Sequence, residues 1–514
     1  MSTIPEVLRA AAAAAPDREV LVTDAARVTF AELAEQVQVF ARAALASGVQ
    51  PGDRVGVWAP NTAHWVVTAL GLVSVGAIVV PVNTRFKAEE ATHVLAATGA
   101  SMLVVDDLFL AGLPGVSPLG LLGDLPELRT VVTTGRSALT WQDFLARADQ
   151  TPCAAAVLAA AAVSPEDPCD IVFTSGTTGR PKGVIARHGA SVRLFQSWAD
   201  TVGLRSEDRM LVVAPFFHTF GYKAGLLACL LQRATLVPLR VFDVDAALAT
   251  LATERISVIP GPPTLYSSLL EHPGLAGADL SSLRLTVTGA AVVPTALIAR
   301  MRDELGFAEV VTAYGLTECG GFATACRPGD PDHVISLTSG RAVDGVEVVV
   351  VGADGLPLPM GQQGEIWVRG YAVMSGYWQD EAATVEAVDT DGWLHTGDIG
   401  ILDGAGNLQI TDRLKDMYVV GGFNAYPAEI EQVLVRHPGV AEAAVVGLPD
   451  DRLGEIGKAY VVARAGAAPS TAELIAWCRE LLANYKVPRS VELLDALPRN
   501  ATGKVTKAAL RARG

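Results

Sequence analysis

The sequence predicts an α/β protein: a large N-terminal domain of layered α/β subdomains with a β-rich subdomain, followed by a small, mobile α+β C-terminal domain. Three observations support this prediction. The 514 residues exceed what one hydrophobic core usually organises, so at least two structural units are expected. Helix and strand patterns alternate through most of the chain. A short charged segment, residues 412–416, then precedes a stretch with a βα pattern of its own.

The N-terminal elements alternate in the manner of an α/β sheet. A mixed polar and apolar stretch at 30–48 predicts a helix, and residues 54–59 predict a strand. A helix is expected after Asn61, followed by a strand at 77–82. Apolar runs between the later helical segments predict buried strands at 102–105, 211–213, 258–259 and 285–287.

Near Gly345 the pattern changes to short strands separated by glycine and aspartate turns. This predicts a small β-rich subdomain that closes the large domain, with strands at 346–351, 364–369 and 406–410. The expected boundaries are 1–411 for the large domain, 412–415 for a hinge that contains Lys415, and 416–514 for the small domain.

Composition and charge disfavour several classes of protein. A net charge of −15 argues against a main role in binding nucleic acid or an anionic membrane surface, since both usually need a basic face. The six cysteines form no Cys-x-x-Cys pair, so free thiols in a reducing compartment are expected. The longest apolar run, 66–82, is interrupted by Gly71 and Pro81 and falls short of a bilayer span of ~20 residues. We therefore expect a soluble, cytoplasmic protein, and a homodimer is compatible with the sequence.

A loop rich in glycine and hydroxyl side chains follows a predicted buried strand at 170–173. Between residues 174 and 183 it carries three glycines, four hydroxyls and one lysine, which can offer donors to phosphate oxygens. It is not a Walker A loop, because Lys182 follows Pro181 and precedes Gly183 rather than a serine or threonine. The composition alone also fits a surface turn. The candidate phosphate-binding residues are Thr174, Ser175, Gly176, Thr177, Thr178, Gly179 and Lys182.

Two further motifs lie far downstream of this loop. Residues 312–318 bring an aromatic, a glycine, a hydroxyl and a carboxylate within five positions, and residues 497–504 end in Gly503-Lys504. Taken alone, the first motif also fits a strand end followed by a helix N-terminus. A lysine near a C-terminus is, by itself, usually a solvated charge. The motifs gain weight when they occur together with the phosphate loop.

In content and order, the three motifs resemble those of the adenylate-forming superfamily, which includes acyl-CoA synthetases, luciferases and the adenylation domains of peptide synthetases. The resemblance extends from Asn61 to Lys504. It implies an ATP-dependent carboxylate–CoA ligase that works in two steps. A carboxylate attacks the α-phosphate of ATP to give acyl-AMP and pyrophosphate, and CoA then displaces AMP to give an acyl-CoA thioester.

The resemblance implies roles for residues around ATP. Tyr314 would lie against adenine, Thr317 would contact the α-phosphate, and Glu318 would help to hold Mg²⁺, a hard ion that prefers oxygen ligands. Asp398 and Arg413 would contact the ribose, although a turn-forming aspartate and a surface ion pair explain them equally well. The small residues that would border adenine are Gly289, Ala290, Ala291 and Gly315.

Lys504 would be the adenylation lysine, a cation that reaches both the carboxylate and the bridging phosphate oxygen. Thr174, His218 and Glu318 complete the predicted catalytic set. His218 would gate the acyl pocket. The alternative interpretation of His218 is a buried core histidine that is hydrogen-bonded to a backbone carbonyl. The predicted acyl-pocket residues are His218, Phe220, Tyr222, Gly289 and Gly315.

The C-terminal domain would also contribute to CoA binding. Gly421, Gly422 and Phe423 resemble the segment that lines the pantetheine tunnel in CoA ligases, and a hairpin turn is a compatible interpretation. Between the two steps, a rotation of the small domain at Lys415 would move Lys504 out of the active site and bring the segment of the CoA tunnel into its place.

The sequence identifies the acid substrate less specifically than it identifies the reaction. Residues 217–225, 261–264 and 421–424 look most like the actinobacterial ligases that activate the propanoate side chain of the last two sterol rings. Medium-chain, long-chain and alicyclic acids stay open. An enzyme that loads a carrier protein would share every ATP motif, although residues 421–423 favour free CoA. An inactive ATP-binding protein is the non-enzyme alternative, disfavoured because Lys182, Glu318, Asp398, Arg413 and Lys504 occur together.

Overall fold

A computed structural model describes residues 2–86, 88–111, 125–135, 139–174, 181–289, 293–413, 416–420, 423–450, 453–482, 484–500 and 503–514. The chain forms two compact units. The first comprises residues up to Val348 together with Val368–Leu394, and the second comprises Val349–Trp367 together with His395–Gly514. These packing units do not test the predicted hinge at 412–415, which stays a prediction, and Lys415 lies outside the described residues.

The strands of the first unit alternate with helices, as the sequence predicts. They are β1 (Glu19–Val22), β2 (Arg27–Thr29), β3 (Arg54–Trp58), β4 (Ile78–Pro81), β5 (Met102–Val105), β6 (Thr130–Thr133), β7 (Leu139–Thr140), β8 (Pro168–Thr174), β9 (Lys182–Arg187), β10 (Arg209–Val212), β11 (Thr235–Pro238), β12 (Val258–Pro260), β13 (Leu285–Gly289), β14 (Glu309–Tyr314), β15 (Thr324–Ala325) and β16 (Arg341–Ala342). The predicted strands at 54–59 and 77–82 therefore differ from β3 and β4 by a residue at one or both ends.

Helices connect these strands, and one of them has a wider, π-helical turn, Phe220–Leu227. The α-helices are Ile4–Ala14, Phe30–Ala46, Ala63–Ser74, Ala88–Thr98, Asp107–Ala111, Trp141–Ala146, Cys153–Ala162, His188–Val202, Ala228–Gln232, Val244–Thr253, Pro263–Leu270, Thr295–Asp303, Asp332–Leu337 and Glu381–Ala387. Short 3₁₀ turns lie at Arg147–Gln150, Pro273–Gly277 and Thr317–Cys319.

Local sequence explains where the helix Phe30–Ala46 begins. The Thr29 hydroxyl accepts a hydrogen bond from the Glu32 backbone N–H, and the Glu32 carboxylate accepts one from the Thr29 N–H at 2.8 Å. This reciprocal pair satisfies two donors that the first helical turn would otherwise leave unbonded. The helix then buries one face, with Leu33, Val37 and Phe40 at helical spacing.

Two largely parallel sheets organise the first unit. The seven-stranded sheet has the order β7-β6-β5-β3-β4-β8-β9, and its last pair, β8 with β9, is antiparallel. The nine-stranded sheet has the order β16-β15-β14-β13-β12-β10-β11-β1-β2, with antiparallel pairs at both edges. All four residues of β4 and of β5 are buried, so both faces of these strands are covered, which accounts for their continuous apolar sequences. The predicted α/β class is confirmed.

The remaining strands form smaller sheets. The chain crosses between the units within β17 (Val346–Val351), β18 (Gln363–Gly370) and β19 (Trp393–Leu402), which form a four-stranded sheet with β20 (Leu408–Arg413). The C-terminal sheet has the order β22-β21-β24-β23, with β25 beside β24; its strands are β21 (Tyr418–Val420), β22 (Phe423–Ala425), β23 (Val440–Asp450), β24 (Gly454–Ala463) and β25 (Ser490–Leu493).

The second unit has its own hydrophobic core. Its helices are Pro427–Val435, Thr471–Leu481 and Lys507–Arg511, with a 3₁₀ turn at Asn484–Lys486. Ile430 and Leu434 from the first helix and Leu474 from the second pack with Val445 and Val461 of the sheet, and all five side chains are buried. The predicted α+β character of the C-terminal part is confirmed. No helix within the described residues has the length and apolar composition to span a bilayer.

Candidate active site

The two ends of the predicted phosphate loop lie side by side. Strands β8 and β9 pair antiparallel, and Thr174 is opposite Lys182 at the end where the loop leaves the sheet. At Gly183 a Cβ atom would lie 2.7 Å from Cγ2 of Ile171, so glycine is required for this close approach. Ser175, Gly176, Thr177, Thr178 and Gly179, the central phosphate-binding candidates, lie outside the described residues.

The motif at residues 312–318, which contains Glu318, ends in a tight reversal of the chain after β14. Thr317–Cys319 is a 3₁₀ turn, and the chain returns so that Thr324 pairs with Tyr314. A Cβ atom on Gly315 would lie 2.5 Å from the Gly321 backbone, which explains the glycine between the aromatic and the turn. Tyr314, Thr317 and Glu318 are half-buried, so each keeps surface accessible to a ligand.

Tyr377, which the sequence analysis did not select, joins these two motifs. Its hydroxyl donates a hydrogen bond to Oε1 of Glu318 at 3.0 Å. Its ring lies against Lys182, with Nζ 4.9 Å from the ring centroid. Burial, followed by the charge of Glu318, raises the pKa of the Tyr377 phenol far above its ordinary value, so the hydroxyl stays a donor. One phenol therefore contacts both a cation and an anion of the predicted site.

Backbone hydrogen bonds hold Tyr377 in this position. Trp378 N–H donates to the Gly183 carbonyl at 2.7 Å, and Met374 N–H donates to the Glu318 carbonyl at 2.8 Å. The segment before Trp378 is thus attached to both β9, which begins at Lys182, and the Glu318 turn. The sequence signal for this residue was weak: two adjacent aromatics after a glycine, in a chain with 6% aromatic residues.

The small residues predicted to border adenine lie at the end of β13. Gly289 is opposite Ala313 of β14, and a Cβ atom on Gly289 would lie 2.6 Å from the Ala313 carbonyl oxygen. Glycine is therefore needed where the two parallel strands end next to Tyr314. Ala290 and Ala291 lie outside the described residues.

The acyl-pocket candidates lie at the start of the π-helix. The His218 side chain is exposed, and its Nδ1 accepts a hydrogen bond from the Phe220 backbone N–H at 3.2 Å. Exposure excludes the alternative of a buried core histidine. Phe220 is half-buried, whereas Tyr222 is almost fully buried, with its ring 5.0 Å from that of Trp65. The assignment of these three side chains to an acyl pocket stays a prediction.

The two predicted ribose residues are paired in the second unit. Asp398 of β19 is directly opposite Arg413 of β20, and the Asp398 side chain is buried. The preceding Gly397 has φ of +67°, a left-handed conformation that favours glycine, and it directs the chain into this pair. Thr396 accepts a hydrogen bond from the Asp398 N–H at 3.1 Å. The backbone thus places both candidates at one position of the sheet.

Lys504 lies on a short turn that is attached to the core of the second unit. The Asn500 side chain accepts a hydrogen bond from the Lys504 N–H at 3.0 Å, and the Asn500 N–H donates to the Lys504 carbonyl at 2.8 Å. The buried Leu497 anchors the start of the turn beside Tyr460. Lys504 itself is exposed. An exposed lysine on a turn fixed at its base is suited to act on a bound substrate.

The predicted CoA segment is only partly described. Val420 of β21 pairs with Phe423 of β22, and Gly421 and Gly422, which connect them, lie outside the described residues. The strands on either side agree with the hairpin interpretation. Binding of CoA by this segment stays a prediction.

The hairpin of β8 and β9, called the phosphate hairpin below because it carries the predicted phosphate loop, and the exposed Lys504 of the C-terminal unit are features expected of an adenylate-forming enzyme. Residues 8–378 match the AMP-binding enzyme family, and residues 429–504 match the C-terminal domain of AMP-binding enzymes. The chain belongs to the AMP-binding enzyme family. It is an acid–thiol ligase of the AMP-forming acyl-CoA synthetase type, with ATP, CoA and a small carboxylic acid as substrates.

Named relatives and solved structures cover essentially the whole chain. It is 49% identical to the 3-[(3aS,4S,7aS)-7a-methyl-1,5-dioxo-octahydro-1H-inden-4-yl]propanoyl:CoA ligase of Rhodococcus jostii, over 99% of this chain and 98% of that protein. It is 50% identical to the ligase of the same name from Mycobacterium tuberculosis, over 100% and 99%. The long-chain-fatty-acid–CoA ligase FadD13 of Mycobacterium tuberculosis is 34% identical, over 99% and 98%.

Among solved structures, the anthranilate CoA ligase AuaEII in complex with anthranoyl-AMP aligns with a TM-score of 0.89 at 29% identity, covering 100% of this chain and 97% of that one. ATP-bound MatB from Rhodopseudomonas palustris aligns with a TM-score of 0.89 at 28% identity, covering 100% and 99%. The fold of the chain is therefore similar to that of adenylating enzymes such as the anthranilate CoA ligase.

Proposed function

We propose that this ligase activates a propanoic acid side chain carried on a saturated bicyclic diketone. The observation that carries the proposal is the identity of 49% and 50% to two ligases named for such an acid, against 34% to the long-chain ligase. Because the alignments span nearly the whole length of each protein, they include the acyl-binding elements. A long-chain fatty acid is the second candidate.

An aromatic cluster beside the predicted acyl pocket supports a rigid, ring-shaped substrate. Trp198 meets Phe220 at 6.4 Å and Phe322 at 6.5 Å between ring centroids, both nearly edge to face. Trp198 and Phe322 are buried, and Phe220 keeps accessible surface. The accessible Phe220 ring, held by contact with the buried Trp198, therefore offers apolar contact at little conformational cost. A fixed ring of this kind suits a fused ring system better than a flexible chain that must lose many rotamers.

In the first half-reaction, a carboxylate oxygen attacks the α-phosphorus of ATP and pyrophosphate leaves. We assign Thr174 and Lys182 to the β- and γ-phosphates, Tyr314 to adenine and Thr317 to the α-phosphate. Catalysis then comes from positioning and from neutralising charge on the phosphates.

Glu318 is the residue that we propose would hold Mg²⁺. The described residues contain no cluster of three or more metal-ligating side chains. A single half-buried carboxylate fits an ion that takes most of its ligands from ATP phosphates and water. The ion would neutralise phosphate charge, and Tyr377 would orient the Glu318 carboxylate toward it.

In the second half-reaction, the CoA thiolate attacks the acyl carbonyl and AMP leaves. We assign Asp398 and Arg413 to the ribose, which their pairing across β19 and β20 supports. Lys504 acts in adenylation alone, and residues 421–423 serve CoA after a rotation at Lys415. The proposed location is the cytoplasm, consistent with six free cysteines. A proposed homodimer would show twice the mass of the chain in light scattering.

A substrate comparison tests the proposed acid. We expect kcat/KM for the bicyclic propanoic acid to exceed that for medium- and long-chain fatty acids by at least about 100-fold, because a shaped pocket rejects acids that do not fill it. The measurement is acid-dependent pyrophosphate release, with the acid omitted as the control. A fatty acid with equal or higher kcat/KM would assign the enzyme to the second candidate.

Replacing Tyr377 with phenylalanine tests its role at Glu318. Tyr377→Phe keeps the ring against Lys182 but removes the hydrogen bond to the carboxylate, and a bond to a charged group contributes about 1.5–3 kcal/mol. We expect roughly tenfold slower adenylation and a higher Mg²⁺ requirement. Tyr371→Phe is the matched control, since that hydroxyl donates to the Asp344 carbonyl instead. Equal effects of the two substitutions would contradict the role of Tyr377.

A further inference from the structure

Lys223 and Asp170 form a buried ion pair on the β8 strand of the phosphate hairpin. Neither residue is among those assigned above to the reaction. The Lys223 ammonium is 2.9 Å from Oδ2 of Asp170, and the two side chains are 2% and 1% exposed. Lys223 also donates a hydrogen bond to the Ser191 hydroxyl at 3.0 Å. Lysine is almost never buried this deeply without a partner. The lysine is therefore held by defined contacts rather than by general packing.

These three residues come from three elements that build the predicted site. Asp170 is on β8, upstream of Thr174 on the same strand, and Ser191 is on the helix that follows β9. Lys223 is on the π-helix that begins at Phe220. One ammonium on the acyl side of the site thus contacts β8 of the hairpin and the helix that follows β9. π-Helical turns are rare and often occur at functional sites.

The charges of this cluster are well defined. Burial is the largest influence and disfavours the Lys223 ammonium, but the charge and hydrogen bond of Asp170, together with Cys169, outweigh it and raise the pKa of the lysine. Burial raises the pKa of the Cys169 thiol, which stays protonated and donates to Oδ2 of Asp170 at 3.0 Å. Burial lowers the pKa of the neighbouring His188 to about 4, so this histidine is neutral. A single ammonium and a single carboxylate therefore face each other here.

Stability alone is a poor explanation for this pair. Oδ1 of Asp170 has no hydrogen-bond partner among the described residues, so the carboxylate is incompletely satisfied. A buried ion pair often contributes no more stability than apolar side chains of the same size, although loss of one partner is costly. What such a pair supplies is a fixed relative position of the elements that carry it.

The π-helix is packed so tightly against its neighbours that even a small shift of the helix would change its contacts. A Cβ atom on Gly221 would lie 2.2 Å from the Pro215 carbonyl oxygen, and one on Gly225 would lie 3.0 Å from Cγ2 of Val212. The helix backbone therefore approaches the end of β10 closely. A shift of the helix would move Phe220 and the preceding His218 together.

We propose that Lys223 and Asp170 are positioning residues for the acid substrate, which fix the π-helix against the phosphate hairpin. This role rests on the proposed function, because it takes His218 and Phe220 as part of the acyl pocket. The hairpin keeps its own β8–β9 ladder and its pairing with β4 through Val79 and Asp170. Loss of the ion pair therefore moves the acyl side and leaves the ATP side in place.

The test compares a double substitution with the wild-type enzyme. Lys223→Met with Asp170→Asn removes both charges, which avoids the unpaired carboxylate that Lys223→Met alone would leave. We expect kcat/KM for the acid to fall about 10- to 100-fold, in line with the effect of small misplacements, while the KM for ATP stays within about twofold. The readouts are acid-dependent pyrophosphate release and the melting temperature. Ser191→Ala is a milder second variant, with a smaller loss in the same parameter.

A second ion pair of the same unit provides the matched control. Arg284 pairs with Asp208, and the two residues directly precede β13 and β10 of the nine-stranded sheet, whereas the candidate Gly289 is at the opposite end of β13. Arg284→Met with Asp208→Asn should lower the melting temperature and leave the acid kinetics unchanged.

Three outcomes would overturn the positioning role. Unchanged acid kinetics in the Lys223→Met and Asp170→Asn double variant and in Ser191→Ala would refute it. Equal changes in acid and ATP parameters in both double variants would show a merely structural role. A wild-type enzyme without acid-dependent pyrophosphate release would refute the proposed function and this role together, so the two failures are distinguishable.

Discussion

Replacing Lys504 with alanine is expected to lower acyl-AMP formation by about 100- to 1000-fold, the usual loss when a group that stabilises transition-state charge is removed. Lys504 lies on an exposed turn whose base is anchored by Leu497, so truncation of its side chain should not disturb the fold. Thioester formation from supplied acyl-AMP should be nearly unchanged, because the proposed role is confined to the first half-reaction. Separate half-reaction assays measure the two rates.

Lys507→Ala is the control for this prediction. Lys507 lies in the same C-terminal segment and forms an ion pair with Glu431 at 2.8 Å. Its loss removes one positive charge near Lys504 without removing the proposed catalytic ammonium. We expect a change of less than about threefold, as is usual for an ion pair with little net stabilisation. If Lys504→Ala slowed both half-reactions to the same degree, its assignment to adenylation would be wrong.

Removal of the Glu318 charge is expected to have the second large effect. Glu318→Gln keeps an oxygen that can accept the hydrogen bond from Tyr377, while it weakens the proposed Mg²⁺ ligand. We expect the half-saturating Mg²⁺ concentration to rise about tenfold, so pyrophosphate release at limiting Mg²⁺ should also fall about tenfold. The measurement is a magnesium titration at fixed ATP and acid.

A glutamate on the strand before the same motif serves as the control. Glu309 is at the start of β14 and accepts a hydrogen bond from the Gly329 N–H at 3.0 Å. Glu309→Gln should leave the magnesium titration unchanged. Identical titrations for the wild type and Glu318→Gln would remove Glu318 from the proposed metal site.

The sequence was most informative where function depends on consecutive residues. The order of the residues at 174–183 predicts a phosphate loop, where composition alone also fits a surface turn, and the structure confirms that a strand lies on each side of it. The predicted strands of the parallel sheets were likewise found, because burial of both faces imposes a continuous apolar run. Helix and strand ends differ by one to three residues, since local signals at termini are weak.

Contacts between distant segments could not be predicted in the same way. Tyr377 contacts Lys182 and Glu318 only because three separate segments meet in the fold, and its own neighbours in the sequence carry no phosphate signal. The sequence signal for Lys223 is clearer, since it is the charged residue within an apolar stretch at 220–230. That pattern predicts a buried partner but cannot identify Asp170, which depends on tertiary packing.

The most direct test of the two-step reaction follows the oxygen atoms of the acid. The bicyclic propanoic acid, labelled with ¹⁸O in its carboxylate, is incubated with the enzyme, ATP, Mg²⁺ and CoA, and the products are analysed by mass spectrometry. Attack of the carboxylate on the α-phosphorus transfers one labelled oxygen to AMP. We therefore expect AMP with one labelled oxygen, acyl-CoA with the other label in its carbonyl, and unlabelled pyrophosphate, all in equal amounts. Formation of ADP with labelled inorganic phosphate would contradict an acyl-AMP intermediate and the mechanism proposed for this site.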